Sequence, residues 1–401
     1  MTWLRRLGIP ASLAWGFPGV LLFMLGEGID QGFLSAYLAD HGVSTQSIAV
    51  LFTVRGVAVG VASWLSGALS DLWGPRRVMW LGSVIWVVFQ VLFLAVALPT
   101  LSFPLLLVSF ALRGFGFPLF AFAFLTWITA ATPEHRLGRA VGWFYFCYVG
   151  GLLVFGALSA SVLVPLLGTY PTLWFALACM LAGGAMTLLL VREPSAPASG
   201  ENPVGVLFGS VSILWRNWKV GVGAVVRCIC SSAYDAYPIL MPIFFTQTIG
   251  FSLTEWLRLS FVMCATTMVC NLVFGAVGDR FGWRRTIAWF GGVGCAVTVL
   301  LLYYVPLLAG QQYALALLAA ALNGAPAAAY APLSALVPAL APGHKGQAMA
   351  ALNLGAGASM LVGPAIVAVF FGVLGMAGVI WIFAGLYLAS AVLVMLLKEP
   401  A

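Results

Sequence analysis

Long runs of apolar residues, separated by short groups of proline, glycine and charged residues, make up most of the chain. The runs are about 20 residues long or longer, which is the length that an α-helix needs to cross the hydrocarbon layer of a bilayer. Read against their polar boundaries, they predict an all-α protein with twelve membrane-spanning helices. The predicted spans cover residues 13–37, 46–70, 78–97, 102–131, 139–164, 170–191, 219–248, 253–277, 286–307, 311–337, 347–373 and 376–397.

The composition supports a multi-pass membrane protein. Of the 401 residues, 63% are hydrophobic and 7% are charged, whereas soluble domains carry about 25% charged residues. The seven cysteines lie inside the apolar runs and the three histidines at predicted loops, so neither a metal site nor a nucleophile–histidine–acid set is indicated. We therefore expect no enzyme, no cofactor and no metal, and a first span that is retained rather than cleaved.

The basic residues predict the orientation and the domain limits. An even number of spans leaves both termini on one side, and the positive-inside rule makes that side cytoplasmic. This side carries 14 of the 18 basic residues, namely Arg5, Arg6, Arg76, Arg77, Arg136, Arg139, Arg192, Arg216, Lys219, Arg280, Arg284, Arg285, Lys345 and Lys398. The basic charge thus reflects topology, and no nucleic-acid partner is expected. The polar stretch 192–218 is a predicted cytoplasmic linker with a possible surface helix, between domains 1–191 and 219–401.

An internal repeat relates the two halves. "GALSDLWGPRR" at 67–77 aligns with "GAVGDRFGWRR" at 275–285, an offset of 208 residues that also carries Glu27 onto Asp235. Six spans followed by six in the same orientation form a parallel repeat. The matched positions are Gly67, Asp71, Gly74, Arg76 and Arg77 in the first half and Gly275, Asp279, Gly282, Arg284 and Arg285 in the second.

This paired motif resembles the loop that marks the major facilitator superfamily, and the resemblance covers the whole chain. It implies two six-helix bundles around a cavity that opens alternately to either side, with the motif residues acting in gating. The blocks "GEGIDQGFLSAYL" (26–38) and "RGFGFPLFAFAFLTWIT" (113–129) further resemble the polyol permeases, bacterial proton-linked carriers of pentitols such as ribitol and arabinitol.

Charged residues inside the spans are the candidates for proton coupling. Glu27, Asp30, Arg55 and Arg113 lie at similar depths, which favours pairing of Glu27 with Arg113 and of Asp30 with Arg55 but leaves the swapped pairing open. A carboxylate in a low-dielectric cavity has its pKa raised by desolvation and lowered by a nearby arginine, so moving the arginine would switch proton affinity. The alternative is a static charge pair that fixes helix packing.

Binding of a polyol needs several hydrogen-bonding side chains and aromatic faces at one depth. The candidates are Gln31, Trp143, Tyr145, Tyr148, Tyr234, Asp235, Tyr237, Asn271, Asn323 and Asn353. Each alone also fits a role in packing or in helix–helix hydrogen bonding. For Asp235, substrate binding, titration and a buried protonated structural acid all stay open.

Together with these observations, the resemblance implies a proton-coupled importer of a small polyol or related sugar derivative that works by alternating access. The alternatives are a proton-driven exporter of a drug or metabolite, a carrier of a small organic acid, and a membrane sensor without transport. The expected partners are the small-molecule substrate, protons and the lipid bilayer. We expect a functional monomer in the bacterial inner membrane.

Overall fold

A computed structural model describes residues 11–132, 134–191, 211–341 and 345–397. The α-helices are α1 Gly16–Gln31, α2 Leu34–Asp40, α3 Thr45–Trp73, α4 Pro75–Leu92, α5 Leu98–Thr100, α6 Phe103–Ala131, α7 Glu134–Val149, α8 Gly156–Leu167, α9 Thr169–Leu190, α10 Trp218–Ile243, α11 Leu253–Phe281, α12 Trp283–Thr286, α13 Gly294–Ala309, α14 Tyr313–Ala327, α15 Leu333–Ala339 and α16 Lys345–Leu396. Between them lie four π-helical segments, Phe93–Ala97, Gly150–Phe155, Phe244–Thr248 and Ile287–Val293, and the 3-10 turn Ala328–Tyr330. A second 3-10 turn, Ala11–Leu13, precedes α1. The described residues contain no strand.

The helices reproduce the predicted spans. Nine helical stretches within the described residues are long and apolar enough to cross a membrane, and the longest, Ala351–Leu396, contains two predicted spans. Those two join in α16 at Gly375, whose φ of 64° and ψ of −170° interrupt the helical backbone. The remaining two predicted spans correspond to α1 with α2 and to α11. The all-α membrane fold is thereby confirmed.

The first span is broken rather than continuous. α1 ends at Gln31 and α2 begins at Leu34, with a turn at Gly32 and Phe33 between them. The predicted surface helix falls partly on residues 192–210, which lie outside the described residues, while residues 211–216 are helical.

The chain forms two compact units. The first contains Met1–Phe33 and Val57–Val204. Within it α1 packs on α9, where a Cβ on Gly183 would lie 2.5 Å from the Gly19 carbonyl oxygen. Only glycine allows two helices to approach so closely.

The second unit contains Leu34–Gly56 and Gly205–Ala401. The segment 34–56 is held there by side chains that bond to the backbone. Ser35 Oγ donates to Pro238 O at 2.5 Å, and Gln46 Nε2 donates to Ala368 O at 3.2 Å. The predicted domain limits at 191 and 219 stay a prediction.

Candidate functional site

Three charged side chains meet inside the first unit, Glu27 and Asp30 on α1 and Arg113 on α6. Arg113 donates from Nη1 to Asp30 Oδ2 at 2.6 Å, and its Nη2 lies 4.0 Å from Glu27 Oε1. Glu27 and Arg113 have no exposed surface, and Asp30 is 1% exposed. One arginine therefore serves two carboxylates in a fully buried setting.

Two residues of α4 complete the group, which we call the buried ion cluster: Glu27, Asp30, Trp86, Gln90 and Arg113. Trp86 donates its indole N–H to Glu27 Oε2 at 2.6 Å. Gln90 Oε1 accepts from Arg113 Nη1 at 2.5 Å. Both α4 side chains are fully buried. Because a buried charge is costly unless it is paired and hydrogen-bonded, α4 supplies the donor and the acceptor that the three charges need.

Aromatic rings surround the guanidinium group. The Arg113 Cζ lies 4.8 Å from the ring centre of Phe110, 5.4 Å from that of Trp86 and 5.6 Å from that of Phe93. The negative face of an aromatic ring attracts a cation at such distances. The rings also cover the cation, which has no exposed surface.

Glycines place α4 and α6 close enough to build the cluster. A Cβ on Gly82 would lie 2.6 Å from Gly116 O, and a Cβ on Gly116 would lie 2.8 Å from Gly82 O and would contact Trp86 Cβ. Gly82 lies one helical turn before Trp86 and Gly116 nearly one turn after Arg113, so each glycine shares a face with the functional residue on its helix. The backbone contact therefore fixes the positions of both side chains.

The structure brings Arg113 to both predicted acids, more closely to Asp30 than to Glu27. Arg55 belongs to the second unit and is 8% exposed, and its pairing with Asp30 stays a prediction. Sequence reasoning missed Trp86 and Gln90. Gln90 is a polar residue inside the apolar run 78–97, and this could have singled it out.

In the second unit, polar side chains of α10 contact two other helices. Tyr237 Oη donates to Asn323 Oδ1 and Tyr234 Oη donates to Asn323 O, both at 3.2 Å. Asp235 Oδ2 lies 2.5 Å from Ser359 Oγ on α16. Three of the predicted substrate residues, Tyr234, Tyr237 and Asn323, are thus in contact. A fourth, Asp235, is next to Tyr234 in the chain but contacts α16.

The other predicted substrate residues differ in burial. Tyr148 is buried and stacks on Phe144, with ring centres 5.8 Å apart. Tyr145 is 38% exposed. Partial burial is shared by Gln31 and Trp143, whereas the side chains of Asn271 and Asn353 are exposed. The structure therefore does not gather all ten candidates into one cluster.

The repeated motif has the same local geometry in both units. Gly74 and Gly282 have φ values of 83° and 87°, in the region that favours glycine. Arg76 Nη2 donates to Leu188 O at 2.7 Å, and Arg284 Nη2 donates to Met395 O. Each arginine thereby satisfies a carbonyl in the last turn of a helix.

The remaining motif positions are less informative. Arg77 and Arg285 are exposed, and a Cβ on Gly67 would meet no atom within 4 Å. The side chains of Asp71 and Asp279 lie outside what the structure describes, and Gly275 is described only as part of α11.

The helical fold, the repeated motif and the buried ion cluster together define a multi-pass membrane carrier. The model of the Major Facilitator Superfamily matches residues 16–270 and 255–401, so the chain belongs to this superfamily. The family and the relatives below are membrane transporters, and the protein is therefore a transporter and not an enzyme.

Two relatives and one solved structure mark its place in the family. The alpha-ketoglutarate permease of Bacillus subtilis (strain 168) is 44% identical over 392 residues, covering 97% of this chain and 90% of the relative. The D-arabinitol transporter of Klebsiella pneumoniae is 34% identical over 389 residues, covering 96% of this chain and 92% of the relative. The crystal structure of the nucleoside transporter NupG shares the fold, with a TM-score of 0.75 at 14% identity over 98% of this chain and all of that one. The similarity to the D-arabinitol transporter confirms the resemblance to polyol permeases.

Proposed function

We propose that the protein is a proton-coupled secondary transporter that imports a small hydrophilic solute by alternating access. The observation that carries the proposal is the shared pairing in the buried ion cluster, where Arg113 lies 2.6 Å from Asp30 Oδ2 and 4.0 Å from Glu27 Oε1. With all three groups ionised, the cluster has one net negative charge. One proton makes it neutral.

The burial of the cluster gives that proton its role. A net charge in a low-dielectric environment is unfavourable, whereas a neutral group of the same shape is tolerated. Protonation of one carboxylate also weakens its attraction to Arg113, which leaves the arginine to the other carboxylate. Binding of a proton therefore changes both the charge and the contacts that connect α1 with α6.

A polyol is the first substrate candidate. The Tyr237 hydroxyl donates to the side-chain amide oxygen of Asn323, and the Tyr234 hydroxyl donates to the backbone carbonyl of the same residue. Tyrosine hydroxyls and asparagine amides both donate and accept hydrogen bonds, as polyol hydroxyls do. The 34% identity to a D-arabinitol transporter supports this substrate class.

A small organic acid is the second candidate. Arg55 and Arg227 both act electrostatically on Asp235 in the second unit. Two basic groups and one acid in the same unit leave an excess of positive charge when all are ionised, and this excess would favour a carboxylate substrate. The 44% identity to an alpha-ketoglutarate permease supports this class as well.

The remaining assignments follow from the repeat and from the distribution of charge. We propose cytoplasmic termini, bundles formed by 1–191 and 219–401, gating by the repeated motif, and function as a monomer. Labelling of single cysteines at either membrane face would test the orientation.

Uptake by protein reconstituted in proteoliposomes tests the coupling. D-arabinitol and alpha-ketoglutarate serve as radiolabelled probes under an imposed inward proton gradient. We expect Glu27→Gln or Asp30→Asn to abolish accumulation against a concentration gradient while exchange of internal for external substrate continues. Accumulation that is unchanged in both variants would contradict the proposal.

A thermal-shift screen on detergent-purified protein would identify the substrate class. Ligands that bind the folded state raise its apparent stability, so pentitols, hexitols, sugar acids, dicarboxylates and drugs can be ranked directly. A polyol substrate predicts stabilisation by D-arabinitol, and an acid substrate predicts stabilisation by alpha-ketoglutarate. Stabilisation by hydrophobic drugs alone would instead indicate an exporter.

A further inference from the structure

In the second unit, Ser359 lies within hydrogen-bond distance of two oxygen atoms, one of them on Asp235. Ser359 Oγ lies 2.5 Å from Asp235 Oδ2 and 2.6 Å from the carbonyl oxygen of Ala356. Both distances lie in the range of complete O–H···O hydrogen bonds. A serine hydroxyl has one hydrogen, and an ionised aspartate and a carbonyl are both pure acceptors. A second hydrogen is therefore needed.

A second serine on the same helix, Ser390, also has two oxygen neighbours, and there the second neighbour supplies the additional hydrogen. Ser390 Oγ lies 2.7 Å from Tyr387 O, three residues earlier, and 2.6 Å from Tyr330 Oη. There Ser390 donates to the carbonyl and the tyrosine hydroxyl donates to Ser390. Asp235 occupies the place at Ser359 that Tyr330 occupies at Ser390.

We propose that Asp235 is a second proton-binding acid and that it is protonated in this conformation. Its carboxylic acid donates from Oδ2 to Ser359 Oγ, and Ser359 donates to Ala356 O. When the proton leaves to water, Ser359 turns its hydrogen toward the carboxylate, and the carbonyl of Ala356 loses this partner. The proton is the only group transferred.

Tight packing keeps Ser359 in this position. A Cβ on Gly355 would contact Ala224 O, and a Cβ on Gly363 would contact Ser232 O. These glycines lie one turn before and one turn after Ser359, so α16 meets α10 backbone to backbone on both sides of the contact. The serine cannot move away from Asp235 without separating the two helices.

The charged and titratable groups around Asp235 are compatible with a protonated carboxyl group. Arg227, Cys228 and Cys230 lie on its own helix and Arg55 on α3. Arg227 is eight residues away, roughly 12 Å along the helix axis at 1.5 Å per residue. Asp235 itself is only partly buried, which gives a proton access to its carboxyl group.

Infrared difference spectroscopy of the purified protein at neutral pH tests the proposal. A protonated carboxylic acid has a C=O stretching band that an ionised carboxylate lacks. We expect Asp235→Asn to remove one such band from the wild-type spectrum. The asparagine amide can still donate to Ser359, so the fold is retained. Loss of a carboxylate band in place of an acid band would overturn the proposal.

Ser359→Ala gives a second measurement that keeps Asp235 in place. The acid would lose the acceptor of its hydrogen bond, so its C=O band should move to higher frequency, and carbon-13 labelling of aspartate would identify the band. An unmoved acid band would also overturn the proposal. These spectra need no substrate, so they remain decisive even if the transport experiments disprove proton coupling.

Discussion

The two units carry different residues at most of the positions that correspond to the buried ion cluster. An offset of 208 residues carries Glu27, Asp30, Trp86, Gln90 and Arg113 onto Asp235, Pro238, Gly294, Thr298 and Ala321. Only the first of these five positions keeps an ionisable group in both units. In the first unit the acids share one buried arginine, whereas in the second unit the acid contacts a serine.

The repeated motif shows the opposite behaviour. Gly74 and Gly282 share a positive φ, and Arg76 and Arg284 each donate to the last turn of a helix within their own unit. The repeat has therefore kept the backbone of its connecting loop while the intramembrane charges diverged. This difference suggests that the loop serves a task common to both halves, whereas the charged and polar contacts inside the helices have become specific to each half.

Removal of the shared arginine should have the largest effect. Arg113→Ala leaves two carboxylates buried without a cation, and breaking a buried ion pair in this way costs about 3–5 kcal/mol. We expect a large drop in the thermal unfolding temperature and no transport. Removal of the charge on the second unit's acid, Asp235→Asn, should cost less than about 1 kcal/mol, because the amide keeps one hydrogen bond. Equal losses in both variants would remove the proposed contrast.

The glycine contact beneath the cluster predicts a smaller loss. Gly116→Ala places a methyl group against Trp86 and the Gly82 carbonyl, and such overpacking costs about 1–3 kcal/mol. Gly385→Ala is the control, since a Cβ there meets no atom within 4 Å. Thermal unfolding should separate the two variants. A control that unfolds as early as Gly116→Ala would show that the loss is not caused by this contact.

The motif arginines test the common feature of the two units. Arg76→Ala and Arg284→Ala each remove a donor to a helix end, and we expect each to lower stability by about 1 kcal/mol. Their exposed neighbours provide controls, and Arg77→Ala and Arg285→Ala should change stability little. Denaturant or thermal unfolding of the four variants would check this. A loss of stability in only one of the two arginine variants would show that the contact does not stabilise both units equally.

The tyrosine–asparagine contact should give a change in stability as small as that of one motif arginine. Tyr237→Phe removes the hydroxyl that donates to Asn323 Oδ1, at a cost of about 1 kcal/mol. If polyol hydroxyls bind at this position, KM for D-arabinitol should rise while proton-driven accumulation persists. A KM that stays the same would exclude the Tyr237 hydroxyl from substrate recognition.

Most of the fold follows from the sequence, because the length of an apolar run and the position of its polar boundaries are local properties. The boundary at Gly375 agrees with the predicted spans, whereas the break at Gly32 and Phe33 depends on packing and backbone angles that hydropathy does not contain. In the site, the charges at Glu27, Asp30 and Arg113 are conspicuous in an apolar run. Their partners on α4 depend on the Gly82–Gly116 contact, which is specific to the folded unit.

Proton movement during substrate entry tests the central proposal most directly. Proteoliposomes that contain a pH-sensitive dye are exposed to external D-arabinitol or alpha-ketoglutarate without an imposed proton gradient, and the internal pH is followed. The proposed role of the buried ion cluster predicts that wild-type protein acidifies the interior as substrate enters. Glu27→Gln or Asp30→Asn, each of which keeps one carboxylate beside Arg113, should admit substrate without acidification. Acidification equal to that of the wild type in both variants would contradict the assignment of proton coupling to this cluster.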